Sequence, residues 1–269
     1  MIEVDRIGEI VQIKMGRELN GEVLHFTSVY LIDGLLIDTG PSHTAEELAQ
    51  ALESEYLKLA VNTHYHEDHI GGNAILMRKF GIRILASRHS VPLINQVPYL
   101  YPARELVWGF PEPTEVGCLS ETVETDRFRF EVIDTPGHCE GHIALIERAA
   151  GWCFSGDLFV VPEPKFFRPS EEDLEATVRS MRRLVDFAGD SLVLFTGPGD
   201  VVADGRQAIH SRIEHYRALS KRARELQKRG NSVAAIRDEF FGGEGPWAEG
   251  TGGDMSCEHL VRALLGAEI

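Results

Sequence analysis

The sequence predicts an α/β protein with a helical C-terminal extension. Up to about residue 200, short apolar segments alternate with turn residues and helix-start signals, which is typical of a sheet body covered by helices. From about Arg206 the pattern changes, because Ile209, Ile213 and Tyr216 recur at helical spacing. We therefore expect one domain over residues 1–205 and a helical extension over 206–269 that packs on it.

Apolar segments bounded by turn residues predict the strands of the body. Asp33-Gly34 separates two of these segments and is a hairpin signal. In chain order the predicted strands are 23–26, 29–32, 35–37, 57–61, 82–86, 128–133, 143–146, 152–154 and 191–195.

Capping residues and apolar periodicity predict the helices. Ser42 is a candidate cap for a helix over 43–54, and the segment 170–173 resembles a capping box that opens a helix at Leu174. Residues 92–118 contain five prolines and predict an irregular excursion that overhangs a site. The extension is predicted to contain a helix from Arg206 to Gly230, a second from Ser232, a glycine-rich loop over 242–253 and a last helix over 257–265.

Composition narrows the function. Forty-two acidic residues against 27 basic ones give a formal charge of -15, which repels polyanions and argues against extended nucleic acid as a partner. No apolar run approaches the ~20 residues of a membrane span, and the N-terminus lacks a signal-peptide pattern. The four cysteines form no C-x-x-C pair, so a disulfide framework is not expected and a reducing cytoplasm is the predicted compartment.

The most informative segment is Thr-His-Tyr-His-Glu-Asp-His at residues 63–69, directly after a predicted strand. In an extended chain His64 and His66 point the same way and can reach one cation. Asp68 and His69 lie just beyond and can face a second position. At this composition the pattern arises by chance in roughly one chain in a thousand. A metal site is therefore a better explanation than a polar loop.

Two later segments supply further metal ligands. A zinc ion takes about four N, O or S ligands, so the cluster needs partners from elsewhere in the chain. Asp-Thr-Pro-Gly-His ends a predicted strand and presents His138, and Ser-Gly-Asp ends the next one and presents Asp157. Each segment alone is weak, but together with the cluster both favour a metal site.

These motifs, together with Asp-Thr-Gly at 38–40, resemble the metallo-β-lactamase-fold hydrolases over about residues 20–205. The resemblance implies an αββα sandwich, with two sheets face to face, helices outside, and metals at one edge between the sheets. It also implies the ligands: His64, His66 and His138 for a first metal, Asp68 and His69 for a second, and Asp157 bridging the two.

One departure concerns the second metal. The family normally supplies a further histidine in a Gly-His-Gly turn, whereas this sequence reads Thr-Gly-Pro-Gly and places Pro198 there. Proline has no side-chain donor atom. Three outcomes stay open: a weakened second site, compensation by water or Asp200, or an enzyme that works with one metal.

The resemblance implies a metal-dependent hydrolase in which a metal-bound hydroxide attacks a small ester-, lactone- or thioester-like substrate. Asp68 is the candidate catalytic residue, because it could orient the hydroxide and accept its proton. The expected cofactor is zinc, one or two ions, with iron or manganese as alternatives. A mononuclear iron sulfur dioxygenase, a phosphodiesterase or nuclease, and a non-enzymatic binding protein stay as alternative functions.

Several other residues have two interpretations at this stage. Trp108, Phe110 and Tyr99 could line an apolar substrate pocket or simply cover the edge of a sheet. The apolar face around Tyr216 could pack on the body or on a second subunit in a homodimer. His142 is expected to be structural rather than a ligand.

Overall fold

The computed structural model describes residues 1–269 and contains two large β-sheets. The first sheet is built from seven strands: β1 Ile2–Ile7, β2 Ile10–Met15, β5 Thr27–Ile32, β6 Gly34–Ile37, β7 Leu57–Val61, β8 Arg83–Ala86 and β9 Gly117–Cys118, neighbours in that order. Pairing is antiparallel from β1 to β6 and parallel from β6 to β9. A small hairpin of β3 Glu18–Leu19 and β4 Glu22–Val23 stands apart from it.

The second sheet has six strands, again in sequence order. They are β10 Thr122–Glu124, β11 Arg129–Asp134, β12 Ile143–Glu147, β13 Trp152–Gly156, β14 Val193–Thr196 and β15 Val201–Val202. All neighbours are antiparallel except β13 and β14, which run parallel. The long connection between these two strands carries a helix over the outer face of the sheet.

The helices flank the sheets. A 3-10 turn at Ser42–Thr44 precedes α1 Ala45–Ala51, followed by α2 Glu67–Ile70, α3 Asn73–Phe80, α4 Ser90–Asn95, α5 Pro102–Trp108, α6 Leu174–Phe187, α7 Gly205–Lys228, α8 Val233–Phe241, α9 Pro246–Gly250 and α10 Cys257–Gly266. None of these helices has the combination of length and apolar composition that a membrane crossing requires.

The core has three layers: one between the two sheets and one between each sheet and its helices. Successive side chains of a strand point to opposite faces, and in β5 Tyr30 packs between the sheets while Leu31 packs under α1 and α3. In β13, Phe154 faces the space between the sheets and Cys153 faces α6. Both sheets are therefore covered on two faces, and the predicted αββα sandwich is confirmed.

The C-terminal helices pack on the outer face of the second sheet. Ile209 and Ile213 of α7 and Leu260 of α10 share a buried cluster with Met181 and Leu184 of α6. α7 starts where the Asp204 side chain accepts a hydrogen bond from the Gln207 backbone N–H. The helical extension is confirmed as a region of the fold, and the division of the chain near residue 205 into two domains stays a prediction.

The predictions for the first half of the chain were wrong in three details. The strand predicted over 23–26 stops at Val23, because residues 24–26 leave the small hairpin and line a cavity. Ser42 does not cap a helix over 43–54: it starts the 3-10 turn, and α1 ends at Ala51. Strands β1 and β2, which form the outer edge of the first sheet, were not predicted.

Two further segments also differ from the predictions. The excursion over 92–118 contains α4, α5 and β9, because Pro92 and Pro102 lie in the first turns of helices, where proline is tolerated. In the segment 170–173 the cap of α6 is Asp173, which accepts from the Ala176 backbone N–H, rather than Ser170.

Candidate metal centre

The predicted metal ligands come together at one edge of the sandwich. His64 and His66 follow β7, and α2 carries Asp68 and His69. His138 lies in the turn between β11 and β12, and Asp157 comes directly after β13. Two groups have ligand atoms within 4.8 Å of one another: His64, His66 and His138, and His64, His69 and Asp157.

We call His64, His66 and His138 the first site. Nδ1 of His66 lies 2.9 Å from Nε2 of His138, within reach of one ion whose bonds to histidine nitrogen are about 2.1 Å. The rings of His64 and His138 are edge to face, with centroids 4.9 Å apart. Three imidazoles from two separate segments therefore surround one point.

Hydrogen bonds fix the ring of His64. The Thr63 hydroxyl donates to Oδ2 of Asp38 at 2.8 Å, so its oxygen accepts from Nδ1–H of His64 at 3.0 Å. Nε2 of His64 then carries a lone pair, and this atom is buried without a hydrogen-bond partner. Such a nitrogen is available to bind a metal ion.

Glu171 performs the same task for His66. Nε2–H of His66 donates to Oε2 of Glu171 at 3.1 Å, which leaves Nδ1 free to face His138. The buried guanidinium of Arg168 holds the same carboxylate oxygen at 2.6 Å. The tautomer of His66 is therefore set by the loop that precedes α6, about a hundred residues away in sequence.

We call Asp68, His69 and Asp157 the second site. Nδ1–H of His69 donates to Oδ2 of Asp38 at 2.8 Å. Its Nε2 lies 3.5 Å from Oδ2 of Asp68 and 3.4 Å from Oδ1 of Asp157. Oδ2 of Asp157 lies 3.8 Å from Nε2 of His138, so this carboxylate faces both sites.

Protonation equilibria differ between the sites. Burial lowers the pKa values of His64, His66 and His138 well below the usual range, which keeps these imidazoles neutral and their lone pairs available. Burial acts in the same direction on His69, but the carboxylates of Asp68, Asp38 and Asp157 outweigh it and raise the pKa of His69. The ring of His69 is thus a cation among carboxylates, and its hydrogen bond runs from Nδ1–H to Asp38.

The turn after β14 packs closely against Asp157 and His69 of the second site. A Cβ on Gly197 would lie 1.9 Å from Oδ1 of Asp157 and 3.0 Å from Cε1 of His69, so only glycine fits there. Pro198 follows and lines the cavity, with no donor atom to offer. Asp200 lines the same cavity and, like Asp68, lies outside the two groups, so compensation for the absent histidine by Asp200 stays a prediction.

The residues present fit a divalent transition metal. Three buried side-chain atoms at this edge have no hydrogen-bond partner: Nε2 of His64, Nε2 of His69 and Oδ1 of Asp157. Buried polar atoms without partners are costly unless something else binds them. A set of imidazole nitrogens and carboxylate oxygens suits zinc or iron.

Several residues that were not predicted as ligands hold the predicted ligands and their helix in place through hydrogen bonds and ion pairs. Asp38 accepts from the Thr63 backbone N–H, the Thr63 hydroxyl and His69, and so links the two sites. Arg104 of α5 holds Glu67 of α2 through two 2.7 Å hydrogen bonds in a buried ion pair. The Asp-Thr-Gly motif indicated Asp38, whereas Arg104 carries no sequence signal because its partner Glu67 is remote in sequence. Arg168 pairs locally with Glu171, but nothing in the sequence places this pair beside His66.

His142 contacts the backbone of Asp157 and has a structural role. The backbone N–H of Asp157 donates to its Nε2 at 3.2 Å, and its Nδ1 lies 2.9 Å from the Thr135 hydroxyl. With both nitrogens engaged, His142 lies outside the ligand groups.

A cavity of about 660 Å³ opens over the metal centre. Its apolar wall includes Trp108 and Trp247, whose rings stack 8° from parallel with centroids 5.3 Å apart. The predicted lining role fits Trp108, whereas Tyr99 and Phe110 are 77% and 47% exposed and do not line the cavity. The extension contributes Trp247, Met255 and Leu260, so the helices after residue 205 shape the binding space.

The family model described as the metallo-beta-lactamase superfamily matches residues 23–219, which is more than half of the chain. Hydroxyacylglutathione hydrolase GloC of Haemophilus influenzae is 28% identical over 178 residues, covering 62% of this chain and 81% of that protein. The matches to several other hydroxyacylglutathione hydrolases span about half of those proteins.

Solved structures agree with this assignment. A beta-lactamase domain protein from Burkholderia ambifaria, 15% identical, superposes with a TM-score of 0.74 over 98% of this chain and 87% of its own, a likeness of fold. TTHA1623 in a di-iron-bound form is 25% identical, with a TM-score of 0.57 over 68% of this chain and 92% of its own. The chain belongs to the metallo-beta-lactamase superfamily, and the predicted enzyme class, a metal-dependent hydrolase, is confirmed at that level.

Proposed function

We propose that this hydrolase cleaves a small ester- or thioester-like substrate at a centre whose first site holds a tightly bound zinc ion. The observation that carries this proposal is the convergence of three histidine nitrogens at the first site beneath the cavity. Nε2 of His64 is buried there without a hydrogen-bond partner, and Oδ2 of Asp157 lies 3.8 Å from Nε2 of His138. Asp157 completes the first site as a fourth ligand, and Asp68 with His69 forms a weaker second site.

When bound, a divalent metal acidifies a water molecule toward neutral pH and polarises the oxygen of the group under attack. The protein supplies the rest. Asp68 accepts a hydrogen bond from the Thr27 hydroxyl at 3.4 Å and lines the cavity, where its carboxylate can accept the proton of the attacking water. The apolar wall holds the substrate and limits the access of other water molecules.

The choice of acyl chemistry rests on the cavity and on the relatives. The wall of Trp108 and Trp247 suits an organic acyl compound, and the overall charge of -15 disfavours a polyanionic substrate. GloC is a hydroxyacylglutathione hydrolase by name, which supports acyl transfer to water rather than phosphodiester cleavage.

The four cysteines are unpaired in the structure, which supports the predicted reducing cytoplasm.

Iron is the second candidate metal. Pro198 removes one neutral ligand from the second site, and a site with one occupied position suits the mononuclear iron dioxygenase alternative. The di-iron-bound neighbour supports iron as a metal that this fold can hold.

Elemental mass spectrometry on protein purified without chelators or added metal tests the proposal, together with turnover of aryl esters and thioesters. We expect zinc at one or more ions per chain and measurable hydrolysis. We also expect loss of that hydrolysis in Asp68→Asn, which keeps the shape of the side chain but removes the base. One iron per chain with no hydrolysis would favour the dioxygenase, and no metal after reconstitution would leave a binding protein.

A further inference from the structure

The cavity over the metal centre contains one cation that lacks an anionic partner. Four cationic side chains line it, and three of them are paired: Arg104 with Glu67, Arg168 with Glu171 and Arg212 with Glu163. Lys14 is the fourth, and its Nζ makes no ion pair and no hydrogen bond. Since the other cations are already neutralised by the protein, Lys14 is the one available to a ligand.

The backbone holds Lys14 in place. It lies on β2 opposite Ser28 of β5, half-buried, with Nζ 5.5 Å from the centroid of the Phe26 ring. A Cβ on Gly199 would lie 2.7 Å from its Cε, so the side chain crosses closely over the turn after β14. Gln12, next but one on the same strand, donates to the Gly199 carbonyl oxygen at 2.7 Å and fixes this approach.

This position is close to the second site. One end of the turn, Gly197, touches the ligands Asp157 and His69, and the other end, Gly199, touches Lys14. Two consecutive Cα–Cα steps span at most about 7.6 Å. Lys14 and the second site therefore lie on either side of one short turn, so a substrate whose anionic group binds Lys14 can place a nearby acyl group at the metal centre.

We infer that Lys14 binds an ionised carboxylate of the substrate, which makes the substrate an ester or thioester that carries a second, distal acid group. A single lysine is a monovalent point charge, whereas phosphate sites usually gather several donors or an arginine fork. The net charge of -15 repels anions elsewhere on the molecule, so this local cation decides whether an anionic substrate can enter. The inference rests on the proposed hydrolysis.

The test compares two substrates of equal length on zinc-loaded protein: the mono-thiophenyl ester of glutaric acid, which is anionic, and the thiophenyl ester of pentanoic acid, which is neutral. We expect the wild type to prefer the anionic substrate. Lys14→Gln should lower its kcat/KM about tenfold, mainly through KM, and leave the neutral substrate unchanged. Lys14→Arg should retain the preference because it keeps the charge.

Lys165→Gln is the matched control, because Lys165 is exposed and lies between lining residues Pro164 and Phe166 without lining the cavity itself. It should leave both substrates unchanged. Equal effects of Lys14→Gln on the two substrates, or no effect on either, would overturn the inference.

A binding measurement separates this inference from the proposed function. Calorimetry with glutaric acid monoanilide and the neutral pentananilide requires no turnover. If wild type fails to hydrolyse either thioester, the proposed function is wrong, yet a tenfold loss of monoanilide affinity in Lys14→Gln alone still supports the carboxylate site. Equal monoanilide affinity in wild type and Lys14→Gln would refute it.

Discussion

The first and second sites share the carboxylate of Asp157 but differ in how their other ligands are supplied and supported. The first site has three neutral imidazoles, and the rings of His64 and His66 are each fixed by a hydrogen bond on the nitrogen that faces away from the point that the three rings surround. The second site has one histidine and two carboxylates, and Pro198 stands where a further ligand is expected.

This difference shows which part of the centre is preorganised for a metal. In the first site burial keeps the histidines uncharged, so an ion displaces no tightly held proton. In the second site an ion must displace the proton that the neighbouring carboxylates stabilise on His69. We therefore expect unequal affinities, with the first site filled before the second.

Removing a ligand of the first site should give the largest effect. His66→Ala takes away Nδ1, which lies 2.9 Å from Nε2 of His138, and leaves Glu171 and Arg168 without the ring that they contact. We expect kcat/KM to fall by about 10³-fold or more and tightly bound zinc to disappear. His215→Ala, on the exposed face of α7, is the control and should change neither quantity. Full zinc content in His66→Ala would contradict the ligand assignment.

Loosening the support of the first site should give a smaller effect. Glu171→Ala removes the acceptor that holds Nε2–H of His66, and we expect the affinity for the first zinc to fall about 10- to 100-fold. Chelator competition measures this affinity without any need for turnover. Glu171→Gln keeps an acceptor oxygen and should recover most of it.

Glu175→Ala, one turn further along on a more exposed position, is the matched control for Glu171→Ala. If Glu171→Ala leaves the affinity unchanged, or if Glu171→Gln is as weak as Glu171→Ala, the carboxylate does not position His66.

Restoring the absent ligand should make the two sites more alike. In Pro198→His an imidazole would extend from a position that lines the cavity beside Asp157 and His69. We expect the second ion to bind about tenfold more tightly, with little change at the first site. Pro198→Ala adds no donor and should behave as the wild type. A first-site affinity that rises as much as the second would show that the turn does not belong to the second site.

Local patterns predicted most of the centre, because its ligands lie at the ends of strands in short motifs. The motif at residues 63–69 indicated His64, His66, Asp68 and His69, and two strand-end segments indicated His138 and Asp157. The structure brings these side chains to one edge of the sandwich, and their roles as ligands stay a prediction. The supporting charges were not predictable. Arg104 reaches Glu67 only after α5 and α2 have packed together. Arg168 and Glu171 are neighbours in one loop, but they reach His66 only in the folded chain.

The contrast between local sequence patterns and contacts made only in the folded chain also explains the errors in the predicted fold. Core strands such as β5 and β6 were predicted because they are apolar on both faces. The buried strand β2 was missed because Gln12 and Lys14 interrupt its apolar run. The edge strand β1 is largely exposed and carries charged residues, so hydrophobic patterning did not indicate it. The cap of α6 was misassigned by three residues, since Ser170 and Asp173 both satisfy the local rule and only the folded geometry selects Asp173.

Stepwise zinc titration of the metal-free protein against a chelator of known affinity tests the inequality of the two sites most directly. The structure predicts two distinct steps, in which one zinc ion binds at least about tenfold more tightly than the second, and the tight step vanishes in His66→Ala. Two ions that bind together in a single step would contradict the account, as would a tight step that survives in His66→Ala and is lost in His69→Ala.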